Sequence, residues 1–299
     1  MSWAEDSRAH RATAPSTAGL DALGAALGET VRVVRQLHGG VATCTHELAT
    51  ATRSLILKRY QASDETATSE WERLQLARDL PVPTPEPVVV DGAGEWFGTP
   101  ALVMTRLEGS VMYPGSVDAL ARTLAAIHAS PIPDPTPAVL LRPPYYDTWE
   151  QEVEYPDGLV AAMDELRVRA AALPKVLSHS DYHPGNVLVS RGEVTGVIDL
   201  ASLRLAPRGF DVGLMRGDLT VTPGADAADE FLECYERSAG VRVEDLAWFD
   251  AFAAARTLDH GAGWVDAWTD VGIDITVDQI RDAALDLAAS AVQRIAASR

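Results

Sequence analysis

The spacing of apolar and polar positions changes character along the chain. Residues 1–18 are polar and Ala-rich and are expected to form a flexible N-terminus; a short helix fits 20–27. Residues 31–37, 44–49 and 53–60 are rich in Val, Ile, Leu and Thr and predict strands, with Gly39-Gly40 between the first two. From 64 to 80 the repeat shifts to threes and fours through Trp71, Leu74 and Ala77, predicting a helix capped by Ser63 or Asp64. The run Pro81-Val82-Pro83-Thr84-Pro85 ends it, because proline lacks a backbone donor and restricts the residue before it. Residues 88–90 and 101–105 predict two further strands around an Asp91-Gly92 turn. After Gly109 helical spacing dominates, at 117–129 and at 149–173 with a break at Pro156-Asp157-Gly158. A strand-rich island follows at 176–200, and then helices to the end, of which 280–297 is the clearest. The expectation is an α+β chain: a flexible segment 1–18, a mainly antiparallel sheet lobe with one main helix over 19–106, and a larger helical lobe over 107–299.

Composition narrows the classes. Apolar residues make up 47% of the 299, enough for a substantial core. Asp and Glu number 43 against 25 Lys and Arg, for a net charge of −18. That balance argues against nucleic acid, whose phosphates are met by basic residues. It fits either plain solubility or a pocket that attracts a cationic substrate. Cys44 and Cys234 are too few for a disulfide framework and lack metal-ligand spacing. With no apolar core in the first residues to mark a signal peptide and no run of about 20 apolar residues, a cytoplasmic location without membrane contact is expected.

The chemistry concentrates in Val176-Leu177-Ser178-His179-Ser180-Asp181-Tyr182-His183-Pro184-Gly185-Asn186-Val187-Leu188-Val189, followed by Gly196-Val197-Ile198-Asp199-Leu200. Asp181, Asn186 and Asp199 fall in loops or at strand ends between apolar strands, which is how a rigid scaffold presents reactive groups. Phosphoryl transfer asks for a carboxylate aligned with the acceptor hydroxyl and for metal ions on the phosphates. Asp181 suits the first task; the Asn186 carbonyl oxygen and the Asp199 carboxylate are hard donors suited to magnesium. Two short strands and a turn between Asn186 and Asp199 could bring them together.

His179-x-Asp181-x-x-x-x-Asn186 with Ile198-Asp199 resembles the catalytic segment of the aminoglycoside phosphotransferase and choline kinase family, which shares the two-lobed protein-kinase fold. The resemblance runs from about Val31 to about Asp218. It implies an O-phosphotransferase using ATP or GTP and Mg2+ on a small hydroxylated molecule, with Asp181 as base, His179 ordering the loop, and Asn186 and Asp199 on the metal. It also implies that Lys58 meets the nucleotide phosphates, held by Glu70 or else Glu72, and that Gly39, Gly40 and Thr43 lie in the loop over the phosphates. Here Val41-Ala42-Thr43 replaces the Ser/Asn pair of many relatives. Val103, Met104 and Thr105, with Arg106-Leu107, resemble the connector whose backbone meets the base. Ser180 stands where relatives often have glycine. Asp211, in Arg208-Gly209-Phe210-Asp211-Val212-Gly213, resembles a residue bonded to the catalytic-loop backbone, with a plain helix N-cap as the alternative reading.

Taken singly these residues are unremarkable: a Gly-Gly pair is usually a hairpin turn, and a helix Glu usually faces solvent. Their order along the chain is what carries the reading. His179 and His183 leave a metal-dependent hydrolase as one rival, and a non-catalytic nucleotide-binding protein on the same fold as another. For the acceptor, residues 145–170 hold seven acids against two arginines, and 259–280 hold five acids and no Lys or Arg. With Trp149, Trp264 and Trp268 these stretches suit an ammonium-bearing molecule, an aminoglycoside-like antibiotic or an amino-alcohol. They equally suit core tryptophans and solvated helix faces. A monomer or homodimer is expected, and resistance and metabolic roles both remain open.

Overall fold

The computed structural model of the protein describes residues 13–37, 43–61, 66–111, 116–147, 153–270 and 272–299. The described residues divide into two compact units: one comprises residues up to Asp79 with Pro83–Glu108, the other Leu80–Val82 with Gly109–Arg299.

In the first unit, α1 (Thr17–Leu27) is capped by the Ser16 hydroxyl, which accepts from the Gly19 N–H, and ends at Gly28 in the left-handed region. The strands β1 (Arg32–Leu37), β2 (Cys44–Ala49), β3 (Ser54–Arg59), β4 (Pro87–Asp91) and β5 (Ala101–Thr105) form one antiparallel sheet in the order β1-β2-β3-β5-β4. Alternation along β3 sends Leu55 and Leu57 into a core with Leu23, Leu48, Ala101 and Val103. Lys58 therefore faces the other way. The predicted helix appears as α2 (Thr66–Ala77); its proposed cap at Ser63 or Asp64 lies outside the described residues, as do Gly39 and Gly40. The turn after β4 is longer than a dipeptide, and the Asp91 carboxylate closes it by accepting from the Glu95 and Trp96 N–H groups.

The strand expected at 101–105 appears as β5, so Val103, Met104 and Thr105, also expected in a connector, lie within that strand. Val103 and Met104 are buried, and the Thr105 N–H is spent on the Glu86 carbonyl. An apolar run reads as strand or connector alike, and only the pairing partner decides. Trp149 lies outside the described residues, and within 153–173 the helix begins only at Leu159, after Gly158 at φ +82°.

The second unit contains β6 (Ser110–Val111), α3 (Val117–His128), α4 (Leu159–Ala172), β7 (Lys175–Ser178), β8 (Val187–Ser190), β9 (Glu193–Val197), β10 (Arg204–Pro207), α5 (Arg208–Val221), α6 (Ala225–Ala239), α7 (Leu246–His260), α8 (Val265–Asp270) and α9 (Val277–Ala297). β6-β8-β9 form a small sheet, and β7 pairs with β10. Between β8 and β9, Arg191 and Gly192 both take positive φ, the two-residue turn that suits a right-twisted hairpin. The core gathers Tyr146, Phe210, Phe249 and Phe252, with edge-to-face contacts around Tyr146. α5 lies close against α7 through a glycine stripe. A Cβ on Gly213 would stand 2.8 Å from the Phe249 carbonyl oxygen, and one on Gly209 would enter the Phe249 ring.

Candidate active site

In the first unit the Lys58 ammonium donates to both oxygens of Glu70, at 2.9 Å each. The side chains are 10% and 1% exposed. The Tyr60 hydroxyl also donates to Glu70. Lys58 and Tyr60 share one face of β3 by its period of two, and α2 brings Glu70 to it. Glu72, two positions on, is exposed on a different helix face. Thr43, just before β2, has its hydroxyl 3.3 Å from that of Thr45.

In the second unit, β7 delivers the loop 179–186 and the β8–β9 hairpin returns the chain to it. Val187 pairs with Val197, and the Ile198 N–H donates to the Asn186 carbonyl. Asn186 and Asp199 are thereby held at one end of the same hairpin. The Asn186 Nδ2 donates to the Asp181 carbonyl at 2.9 Å, which turns its Oδ1 away from that contact. Asp199 is exposed and sits at φ +60°, a left-handed conformation Asp tolerates better than most side chains. Ser180 is also left-handed, at φ +64°, a backbone conformation that glycine adopts without steric cost.

His179 is fully buried. Its Nε2–H donates to the Ile198 carbonyl at 2.9 Å, tying the loop to the segment that carries Asp199. Its Nδ1 is buried without a partner. The His183 Nδ1 accepts from the Gly185 N–H and caps the short turn Pro184–Asn186. These rings are occupied with backbone, and no group of three or more His, Cys, Asp or Glu among the described residues converges as a metal site.

The loop is anchored by Asp211, four residues into α5 and so not an N-cap. Its carboxylate accepts from the His179 N–H at 2.9 Å and the Ser180 N–H at 2.7 Å, and from the His128 Nε2–H at 2.9 Å. Burial raises the Asp211 pKa, yet the His128 hydrogen bond and the other donors outweigh it and hold the carboxyl below its ordinary range. Burial holds His128 below the ordinary imidazole value. The two shifts are coupled, and the assignment consistent with both is an anionic Asp211 beside a neutral His128. The His128 Nδ1 then accepts from the Tyr235 hydroxyl at 2.7 Å, to which Arg208 donates in turn. Three helices, α3, α5 and α6, thus converge on two backbone N–H groups of the loop.

Sequence reasoning anticipated the Asp211 contact with the loop backbone but missed His128, Tyr235 and Arg208 behind it, and it missed Arg256. Arg256, on α7, donates to Asp181 Oδ1 at 2.9 Å. The signals were thin: one histidine closing the apolar stretch Leu124-Ala125-Ala126-Ile127, and one arginine after Ala253-Ala254-Ala255. Of the tryptophans expected near an acceptor, Trp268 is buried in a core with Ile275 and Ile280, while Trp264 stacks under Arg256.

Residues 33–252 match the profile of the phosphotransferase enzyme family. No curated protein sequence matches. Among solved structures, a Ralstonia eutropha protein assigned as an aminoglycoside phosphotransferase is 16% identical, with 94% of this chain and 99% of the other covered at a TM-score of 0.69. A thermostable mutant of the aminoglycoside phosphotransferase APH(4)-Ia, in ternary complex with AMP-PNP and hygromycin B, is 18% identical, with 93% and 98% covered at 0.62. The macrolide 2'-phosphotransferase MphH of Brachybacterium faecium is 19% identical, with 90% and 97% covered at 0.59. These structures share the α+β kinase-like fold. No described helix is long and apolar enough to cross a membrane. With its sequence matched over most of its length, the chain belongs to the phosphotransferase enzyme family and is a small-molecule kinase whose acceptor is a hydroxyl.

Proposed function

We propose that the protein transfers the γ-phosphoryl group of ATP, with magnesium, to a hydroxyl of a small molecule, with Asp181 as the base. The observation that carries this reading is the hairpin that sets Asn186 and Asp199 at one end, with the Asn186 amide fastened to the Asp181 carbonyl. ATP is the donor we favour, since one neighbour binds AMP-PNP. That choice implies the cytoplasm as the place of action.

The residues fit a magnesium ion: the Asn186 Oδ1 and the exposed Asp199 carboxylate are hard oxygens. When bound, magnesium would offset the negative charge of the nucleotide phosphates. Lys58, kept in place by Glu70, would bind the nucleotide phosphates. Asp181 would align the acceptor hydroxyl through Oδ2 and take its proton as the new P–O bond forms and the bond to the ADP leaving group breaks. Asp211 and His179 would hold the loop still during that step.

The test is nucleotide turnover with magnesium against hydroxylated amines, antibiotics and neutral metabolites, with ATP and GTP in parallel and Asp181→Ala as blank. Acceptor-dependent ADP release, absent from the blank, is the expected result. Turnover equal to wild type in the blank contradicts the assignment of the base.

A further inference from the structure

The carboxylate placed as the base does not stand alone. Arg256 Nη2 lies 2.9 Å from Asp181 Oδ1, and its guanidinium carbon lies 4.6 Å from the centre of the Trp264 ring. A planar cation fixed at one edge by a carboxylate and on one face by an indole has little rotational freedom. The side chains are 24% and 29% exposed, so both reach solvent. Asp181 Oδ2 has His183 Nε2 at 3.9 Å, beyond hydrogen-bond distance, and remains open to an incoming hydroxyl. Of the five guanidinium N–H donors, one has a protein acceptor among the described residues.

We propose, resting on the kinase reading above, that Arg256 is a positioning residue for Asp181 and the selector of the acceptor. It holds Oδ1, turns Oδ2 to the hydroxyl, and favours acceptors with a carboxylate or a further hydroxyl beside the reacting one over those with an ammonium there. Two further acids of this unit are turned to other partners. Asp259, one helical turn on, accepts from the Tyr155 hydroxyl through Oδ2, and its Oδ1 is shut off from solvent. Asp218 lies at the other nitrogen of His183, 3.6 Å from Nδ1. An ammonium beside the reacting hydroxyl would face the guanidinium, and a carboxylate would find its unused donors. The acidic composition of 259–280 is thus a poor guide to the charge that meets the substrate.

Three size-matched probes read this directly: glycerate, glycerol and 2-amino-1,3-propanediol, assayed for turnover with magnesium and ATP and for binding by calorimetry. Wild type, Arg256→Gln and Arg256→Lys are compared, with melting temperatures to show that each folds. Wild type is expected to favour glycerate and glycerol over the amine by about tenfold or more in kcat/KM, the scale of a like-charge penalty near a protein surface. Arg256→Gln is expected to lower kcat about tenfold to a hundredfold and to erase the preference, with the KM for ATP unchanged, as befits loss of an aligning contact. Arg256→Lys should restore the preference but only part of kcat. Indistinguishable probes, including all three silent, or a preference for the amine, overturn the acceptor assignment. A lower kcat with the preference intact also overturns it. Arg256→Gln with wild-type kcat overturns the positioning role. If Asp181→Ala turns over ATP like wild type, the kinase reading itself fails; if that protein is silent and the Arg256 results go the wrong way, only the present proposal fails.

Discussion

The two groups of candidate residues are held by different means. In the sheet unit one ammonium meets one carboxylate, Lys58 on Glu70, with Tyr60 adding a hydroxyl. In the helical unit the carboxylate of Asp211 holds no catalytic side chain and grips the main chain at His179 and Ser180. A side-chain pair can be tuned or broken locally. A main-chain grip fixes the geometry of every residue in the loop, and its loss leaves buried donors without partners.

That contrast orders the consequences of mutation. Asp181→Ala should reduce turnover about 10²- to 10⁴-fold, the range for losing a general base, while a nucleotide-induced rise in melting temperature persists. Absence of that rise would show that Asp181 also holds the nucleotide. Asp211→Ala should cost several kcal/mol of stability, about 1–3 for each buried donor left without its acceptor: the His179 and Ser180 N–H groups and the neutral His128 ring. Urea melts measure it, and a variant as stable as wild type would erase the contrast drawn above.

Acidity probes the same grip. Burial keeps the His128 pKa below 6.5 in the folded protein, while the unfolded chain protonates near that value. The unfolded state therefore binds the proton first as pH falls, so this stability is complete above 6.5 and declines below it. Its slope approaches about 1.4 kcal/mol per pH unit. Asp211, held below 3.8, adds a loss only below that value. Urea midpoints at pH 7.5 and 5.5 should separate in wild type and converge in His128→Gln, relative to the remaining titrating groups. Glu70→Gln should raise the KM for ATP about tenfold, the scale of one weakened charge-assisted contact, and lower stability as well, since a buried ammonium loses its carboxylate. A fall in kcat at unchanged KM would instead make Glu70 part of the chemistry. Ser180→Gly is the smallest change: relief of a left-handed backbone, about 1 kcal/mol, opposes loss of the Ser178–Ser180 hydroxyl contact, and turnover should stay near wild type.

What the sequence disclosed follows from range. The alternation of Leu55, Leu57 and Lys58 is local, and so is the strand–loop–strand frame around Asp181, Asn186 and Asp199; each could be read where it stands. Arg256 lies 75 residues from Asp181, and His128 lies 83 from Asp211. Their partners are chosen by how α7 and α3 pack, which no local pattern encodes. The strand at 101–105 could be read where it stands, whereas its second reading as a connector could not be decided locally, because Val103 and Met104 are apolar in either case; the late start of α4 turns on a backbone angle at Gly158.

The missing methyl groups of α5 have a consequence for tolerated variation. Asp211 on α5 grips residues 179 and 180, and Arg256 on α7 grips residue 181, so adjacent residues hang from two different helices. The gap between those helices is set at Gly209 and Gly213 by the absence of side chains against Phe249. Positions 209 and 213 act as shims for the loop. Among randomised variants selected for turnover, any side chain there should be purged as stringently as a change at Asp181.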